Sequence, residues 1–507
     1  MEAHSPSAEH DLFAAATQKF ARTCLWLRAA EQSSAGHDVV EAHLLVDVRE
    51  MGRLLMQAHL DLRTEREKPL PAPVAVSMMA RPRRLARNLD TVLGSVRVGR
   101  IAWQCEGEAT VIPLDRALAM PAHQYSFGVQ RFVAEQAETM SFDRTGVSLH
   151  AMGIEVPKRQ REQIIVRMTQ DFEAFYAERP RPVNDTVGRR TLLVMSVDSV
   201  GVRVVHASLR DDTRKAAERA AAEFVAGGSV RGDPMAPRVG HTHDHRMAVV
   251  TMNWDQDPQP RTADDILAQF APKAERTREE IRLPRPRNRR VRATLERSQG
   301  EAIAEMFDEA QRVDPKHERV WVVLIDGSVS QREQVLAEAR KRDVYIELVL
   351  DLIHGLHYLW DAAKALKGGT TKAADEWVTQ YVRRVLTRPV AYVISGLRQI
   401  ASQPSTPTTA RVALRKCASY FENNALAMNY ANALAEGFPI ATGNVEGACR
   451  HLVRDRMDIT GARWTTRGAE AMLKVRALMK SGDWDEYCRF HFRKEHDRTH
   501  PPVKKAA

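Results

Sequence analysis

Two apolar runs that each break on an aspartate constrain this chain more than any other feature. RRTLLVMSVDS (189–199) and RVWVVLIDGS (319–328) are short, rich in β-branched residues, and followed by small residues, Ser199 in one case and Gly327-Ser328 in the other. Such runs read as buried strands that deliver a carboxylate to a sheet edge. One aspartate of this kind is better explained as a turn former. Here Asp198 and Asp326 both end such runs, and VYIELVLD (344–351) ends on a third, Asp351. HRMAVVTMNW (245–254) adds another strand to the same region. Convergent carboxylates form the oxygen-rich cage that hard divalent cations prefer.

The rest of the chain frames this region with helices. At about 150 residues per domain, 507 residues imply two to four domains. Residues 1–90 read as an N-terminal helical region and a proline-rich linker (Lys68 to Pro73), with Leu44, Leu45, Val48, Met51, Leu54 and Leu55 at helical spacing. Residues 91–185 begin with TVLGSVRVGRIAWQCEGEATVIPLD, whose alternation predicts a small hairpin, and continue into helices. Residues 186–356 carry the strands, 357–436 are helical throughout, and 437–507 read as further helices and a basic tail.

A late acid stands out in GFPIATGNVEGACRHLVRDRMDITGARW. Thr442, Gly443 and Asn444 suit a helix start, and Val445, Ala448, Cys449, Leu452, Val453 and Met457 form an apolar stripe. Glu446 lies beside that stripe, so it is expected to face a neighbouring sheet, with Arg450 and Arg454 following on the same side. An exposed Glu–Arg pair is the plain alternative.

Composition excludes several function classes. Five cysteines with no CxxC pair exclude a zinc ribbon and a disulfide scaffold, and fit a reducing cytosol. No stretch of about 18 apolar residues exists, so no membrane span is expected. MEAHSPSAEHD has no basic-then-apolar pattern of a signal peptide. Walker A, GxGxxG and GxSxG motifs are all absent. The net charge of +10 tilts modestly toward a polyanionic partner.

Basic clusters supply candidates for that contact. SFDRTGVSLHAMGIEVPKRQREQIIVRM reads as helix, turn at Gly153, helix, with Lys158, Arg159 and Arg161 at the start of the second helix, where a recognition helix touches DNA. Two packed helices with a solvated basic end read equally well. Arg282, Arg285, Arg287, Arg289, Arg290, Arg292 and Arg297 form a proline-broken stretch suited to phosphates or to a solvated loop. His241, His243 and His245 read as a polar loop before a strand, and Trp464 as a core tryptophan rather than a base-stacking platform.

The segment GFPIATGNVEGACRHLVRDRMDITGARWTTRGAEAMLKVRAL resembles the C-terminal signature of insertion-sequence transposases of the ISKra family, which are similar to other DDE transposases with an RNase H-like core. The resemblance extends to SVDSVGVRV, IDGS, DLIHGLHYLWDAAKAL and PLDRALAMPAHQYSFGVQRFVAEQAETMSFD, and so to most of the chain. At Asp198 this chain has DSVG where the family more often has a DG-type turn.

The resemblance implies an α+β fold: an RNase H-like mixed sheet flanked by helices, with an all-α insertion and N-terminal helical, hairpin and helix-turn-helix DNA-binding modules. It implies Asp198, Asp326 and Glu446 as catalytic acids and ligands of two Mg²⁺ or Mn²⁺ ions. Asp351-Leu-Ile-His354 is similar to a C/DxxH element that follows the second catalytic aspartate by about 25 residues, and 351 − 326 is 25. It reads as a supporting pair, with Asp351 as second ligand the alternative. The implied function is a cytoplasmic, nucleoid-associated DNA transposase. Its partners are the double-stranded terminal inverted repeats of the element, target DNA, and at least one further copy of itself. A structure-specific nuclease on the same fold, or a non-catalytic transposase-derived DNA-binding protein, remains the alternative.

Overall fold

The computed structural model describes residues 11–67, 81–104, 110–178, 188, 190–226, 244–270, 284–459 and 461–500. The chain divides into two compact units, one made of residues up to Phe175 together with those from Asp485 onward, the other of Tyr176–Trp484. The linker at 68–73, Arg282, His241, His243 and the basic tail past 500 lie outside the described residues.

The first unit opens with helices α1 (Ala14–Arg28) and α2 (His37–Glu65). A hairpin follows, β1 (Arg81–Thr91) and β2 (Gly94–Gln104), antiparallel from Arg81↔Gln104 to Thr91↔Gly94. It therefore starts before the expected 91–115 segment. In its first strand, RPRRLARNLDT, Leu85, Arg87 and Leu89 pair with Arg100, Val98 and Val96. Arg87 is tucked in, donating to the Pro121 carbonyl at 2.6 Å. Helix α2 covers the outer edge of β2. Gln57 bonds both the N–H and the C=O of Arg97 at 2.8 Å, and Thr64 donates to the Gly99 carbonyl at 2.7 Å. Covering an edge in this way blocks pairing with another chain.

Five helices complete this stretch: α3 (Pro113–Ala117), α4 (Phe127–Thr139), α5 (Phe142–Ala151), α6 (Lys158–Met168) and α7 (Phe172–Glu178). Ser141 caps α5 by accepting from the Arg144 N–H at 3.2 Å, and Gly153 turns the chain at φ 67°. Pro157 then caps α6 from outside the helix. The helix, glycine turn and helix lie where the sequence pattern puts them.

The second unit is built on a mixed five-stranded sheet in the order β5-β4-β3-β6-β7. Its strands are β3 (Leu192–Arg203), β4 (His245–Gln256), β5 (Arg287–Thr294), β6 (Trp321–Ile325) and β7 (Ile346–Leu350). β3–β4 and β4–β5 are antiparallel; β3–β6 and β6–β7 are parallel. The connections carry α8 (Asp211–Ala226), α9 (Ala263–Phe270), α10 (Gln299–Val313) and α11 (Val329–Lys341). A capping box between Ser298 and Glu301 starts α10. This helix packs on one sheet face, where Asn253 donates to the Met306 carbonyl at 2.8 Å.

Two strand expectations need correction. The strand expected to end on Asp198 does not end there, because β3 runs through it to Arg203. The reason is asymmetric pairing: β6 ends at Ile325, while β4 still pairs with β3 as far as Arg203↔His245. Residues 287–294 of the arginine-rich stretch are also no loop, since they form strand β5. Arg290 is buried against Glu309 at 3.0 Å, Arg292 reaches Glu305 at 3.2 Å, and Arg287 reaches Asp257 at 2.7 Å.

After β7 the chain is helical: α12 (Leu352–Lys367), α13 (Lys372–Thr387), α14 (Val390–Ser402), α15 (Thr408–Asn423) and α16 (Tyr430–Ala435). Then come α17 (Gly443–Ala448), a π-helical turn Cys449–Arg454, α18 (Asp455–Met457), α19 (Thr466–Ser481) and α20 (Trp484–Thr499). Trp464 is a core residue, 6% exposed, with its indole N–H on the Met457 carbonyl at 3.2 Å. No helix among the described residues is long and apolar enough to cross a membrane.

Candidate metal centre

Parallel pairing sets the level of each acid. The last β3–β6 pair is Ser196↔Leu324, so Asp198 and Asp326 each lie two residues beyond it. The last β6–β7 pair is Ile325↔Leu350, so Asp326 and Asp351 each lie one residue beyond that. Three aspartates on adjacent strands thus stand at one height at the C-terminal ends of β6 and β7. Residues paired in parallel strands share a face, which puts Asp198 and Asp326 on the same side of the sheet.

Each acid is held by local chemistry. Asp198 Oδ1 accepts from the Ser199 N–H at 2.6 Å, and its Oδ2 accepts from the buried Cys449 thiol at 3.3 Å. Asp326 Oδ1 accepts from the Ser328 N–H at 2.8 Å, at the start of α11. Gln331, fully buried on α11, spans the gap where the β3–β6 ladder has stopped. Its Oε1 takes the Asp326 N–H at 3.1 Å and its Nε2 donates to the Val197 carbonyl at 3.2 Å. Asp351 is the N-cap of α12, accepting from the Ile353 N–H at 2.9 Å, His354 Nδ1 at 2.8 Å and the Thr442 hydroxyl.

The electrostatics separate the two later aspartates. Burial pushes the Asp326 pKa up, and the nearby Asp198 charge adds to the rise, against the Ser328 hydrogen bond. Burial also works to raise Asp351, but the hydrogen bonds from His354, Thr442 and Ile353 outweigh it and the net shift is downward. His354 moves up, first through its hydrogen bond to Asp351 and further through the charges of Asp351, Asp326 and Asp198, against desolvation. Asp351 and His354 therefore form a satisfied pair, while Asp326 is a carboxylate whose charge is costly as it stands.

Glu446 arrives from α17, whose buried residue Val445 anchors it. Its side chain is exposed rather than turned against the sheet, which corrects the expectation from the apolar stripe. Its carboxylate nevertheless reaches Asp351 and His354. Among the described residues, the group whose ligand atoms all lie within 4.8 Å of one another is Asp351, His354 and Glu446, rather than Asp198, Asp326 and Glu446. His354 also feels the charges of Asp326 and Asp198.

The π-helical turn after α17 alters the expected face. A π turn adds a residue to the helical cycle, so Arg450 and Arg454 do not simply repeat below Glu446. Both are exposed, and Arg450 lies 3.8 Å from Asp455. Cys449, within the turn, is the residue that reaches Asp198. Burial first, then the Asp198 charge, pushes its thiol well above the usual range, which keeps it a neutral donor.

In the first unit, Lys158 pairs with Asp143 at 2.8 Å and Arg159 is exposed. Arg161 is 8% exposed and packs over Gly146, where an added Cβ would collide with its guanidinium. It is a packing residue, which corrects its expected place on the open basic surface.

Gln331, Thr442 and Cys449 were not legible as site residues. Compared with known protein families and with curated proteins, the chain matches none.

Proposed function

We propose that this chain is a DNA transposase that cuts and joins phosphodiesters at its acidic strand edge with the help of two divalent cations, Mg²⁺ or Mn²⁺. The observation that carries the reading is the row of Asp198, Asp326 and Asp351 at one level across β3, β6 and β7, with Glu446 brought beside it by α17. A mixed sheet flanked by helices supports an RNase H-like core, as the resemblance of the C-terminal segment implies.

The residues fit such ions. Carboxylate oxygens on flexible side chains suit hard cations, and the raised pKa of Asp326 marks a charge that a cation would compensate. Asp198, Asp326 and Glu446 would hold the ions. Asp351, whose oxygens already accept from three protein donors, would orient His354 instead. When bound, two such ions supply Lewis acidity to the attacking and leaving oxygens of an in-line displacement.

The chain's own residues do the rest. Gln331 and Cys449 fix where the aspartates stand. His354, with its raised pKa, offsets part of the negative row. Exposed Arg450 and Arg454 offer phosphate contacts beside Glu446, and Lys158 and Arg159 offer them at the start of α6. The 3′-hydroxyl freed by nicking then attacks target DNA. One phosphodiester replaces another, so no ATP is consumed. Acting on paired ends takes at least two copies, and the exposed Leu25, Leu45, Val46 and Val48 on α1 and α2 offer apolar surface for that association. The site of action is the cytoplasmic nucleoid.

The test is a joining assay: purified protein, Mg²⁺, and linear DNA carrying the sequences that flank the coding region. Products in which the nicked 3′ ends are covalently joined to a target plasmid support the proposal. Cuts without joining would point to a nuclease, and binding without cuts to a DNA-binding protein.

A further inference from the structure

We infer that the helical segment between β7 and α17 is a positioning frame for the acids, in which Tyr420 and Tyr430 are positioning residues that hold the ends of β6 and β7. This rests on the metal reading of the strand edge. It goes beyond that reading by giving the insertion a role in building the site.

The contacts fall at the level of the acids. Tyr420, on α15, donates its hydroxyl to the Asp326 carbonyl at 2.8 Å. One turn later Asn424, fully buried, donates to the Gly327 carbonyl at 3.2 Å. Gly327 has φ 91°, and a Cβ there would collide with the Tyr420 hydroxyl, so the tyrosine closes directly onto the turn that carries Asp326. Tyr430, 1% exposed on α16, donates to the Leu350 carbonyl at 3.0 Å, one residue before Asp351. The Leu352 N–H then bonds the Ile440 carbonyl at 2.9 Å.

The frame also links the two acids. Tyr420 stacks on Tyr358 of α12, with ring centroids 4.0 Å apart and planes at 16°. Helix α12 is capped by Asp351 and carries His354 in its first turn. The same tyrosine therefore grips the Asp326 turn through its hydroxyl and the Asp351–His354 helix through its ring.

The Asp326 carbonyl lies just past the last β6–β7 pair, and the Leu350 carbonyl closes the edge strand β7, whose ladder ends with the Asp351 N–H on the Ile325 carbonyl at 2.8 Å. Each tyrosine hydroxyl gives its carbonyl a bond that the sheet does not supply. Removing one lets the strand end drift, and metal affinity depends on carboxylate placement much more steeply than overall stability does.

The experiment titrates Mn²⁺ against the full chain, counting free Mn²⁺ by electron paramagnetic resonance, with melting curves recorded without metal. Tyr420→Phe keeps the ring and removes only the hydroxyl of a half-buried side chain; Tyr430→Phe does the same in the core. Tyr487→Phe is the control, because its hydroxyl donates to the Met168 carbonyl at 2.6 Å, a bond within the first unit. We expect Mn²⁺ affinity to fall about three- to tenfold in Tyr420→Phe and Tyr430→Phe, the range one net hydrogen bond covers. In Tyr487→Phe the melting temperature falls and Mn²⁺ affinity does not change. Wild-type affinity in a folded Tyr420→Phe protein overturns the inference, whatever its melting temperature. Failure of the wild-type chain to bind Mn²⁺ overturns the metal reading itself, and the inference with it.

Discussion

Asp326 and Asp351 stand side by side on neighbouring parallel strands, each one residue past the Ile325↔Leu350 pair, yet their carboxyls shift in opposite directions. Asp326 is raised by burial and by Asp198. Asp351 is lowered because donors from His354, Thr442 and Ile353 outweigh its burial. Position in the sheet is shared; the donors are not, and the donors assign the roles.

This yields a first expectation. Asp326→Ala should abolish metal-dependent cleavage while leaving the fold intact. Asp351→Asn should leave measurable cleavage and lower stability by about 2–3 kcal/mol, the range of hydrogen bonds to a charged group. Paired nicking assays and urea melts would show it. Full loss of cleavage in a stable Asp351→Asn protein, with activity surviving in Asp326→Ala, would transfer the ligand role to Asp351.

The Asp351–His354 pair also sets a pH dependence. The His354 pKa is raised on folding, so its contribution is complete below the unfolded value of about 6.5 and is lost as pH rises through the folded value. The Asp351 pKa is lowered, so its contribution is present above about 3.9 and is lost as pH falls through the folded value. The stability difference between wild type and His354→Gln should therefore be largest near pH 5–6 (approximate unfolded values) and shrink in alkaline buffer. A difference that stays flat with pH would remove the charge from this pair.

Much of this architecture was visible beforehand because hydrophobic runs report strands directly. RVWVVLIDGS and VYIELVLD became β6 and β7, and the region 142–168 became two helices around Gly153. Two things were hidden. Strand β5 was masked by arginines whose partners, Glu309, Glu305 and Asp257, lie elsewhere in the chain. The shared level of Asp326 and Asp351 depends on register, which a separation along the chain does not encode. Gln331, Tyr420 and Tyr430 carry no sequence signal for a related reason: each acts on the backbone of a residue remote in sequence or across a ladder gap, and belongs to no motif.

The buried arginine of β5 offers a stability test. Arg290 and Glu309 are 3% and 2% exposed at the side chain, so Arg290→Met takes from a buried carboxylate one of two arginines that reach it at 3.0 Å, the other being Arg312. A loss of about 2–3 kcal/mol is expected, below the cost of a fully unpaired buried charge, with no change in the salt dependence of DNA binding. A shallower salt slope with unchanged stability would return Arg290 to the DNA surface.

The two ends of the basic cluster on α6 should behave differently. Lys158→Ala with Arg159→Ala should weaken DNA binding and make its salt dependence shallower by up to about one unit for each phosphate no longer neutralised. Arg161→Ala, at a buried position, should lower the melting temperature and leave the slope as in wild type. An electrophoretic shift series across salt concentrations, beside thermal melts, separates the two effects.

The most direct measurement is nicking of end DNA by wild type and by Glu446→Gln, each with Mg²⁺ and with EDTA, alongside binding to the same DNA. Glu446→Gln keeps the shape and removes one negative charge from an exposed position, so DNA affinity should equal or slightly exceed wild type. Cleavage should occur only for wild type with Mg²⁺. Robust cleavage in EDTA, or wild-type cleavage by Glu446→Gln, would contradict the account.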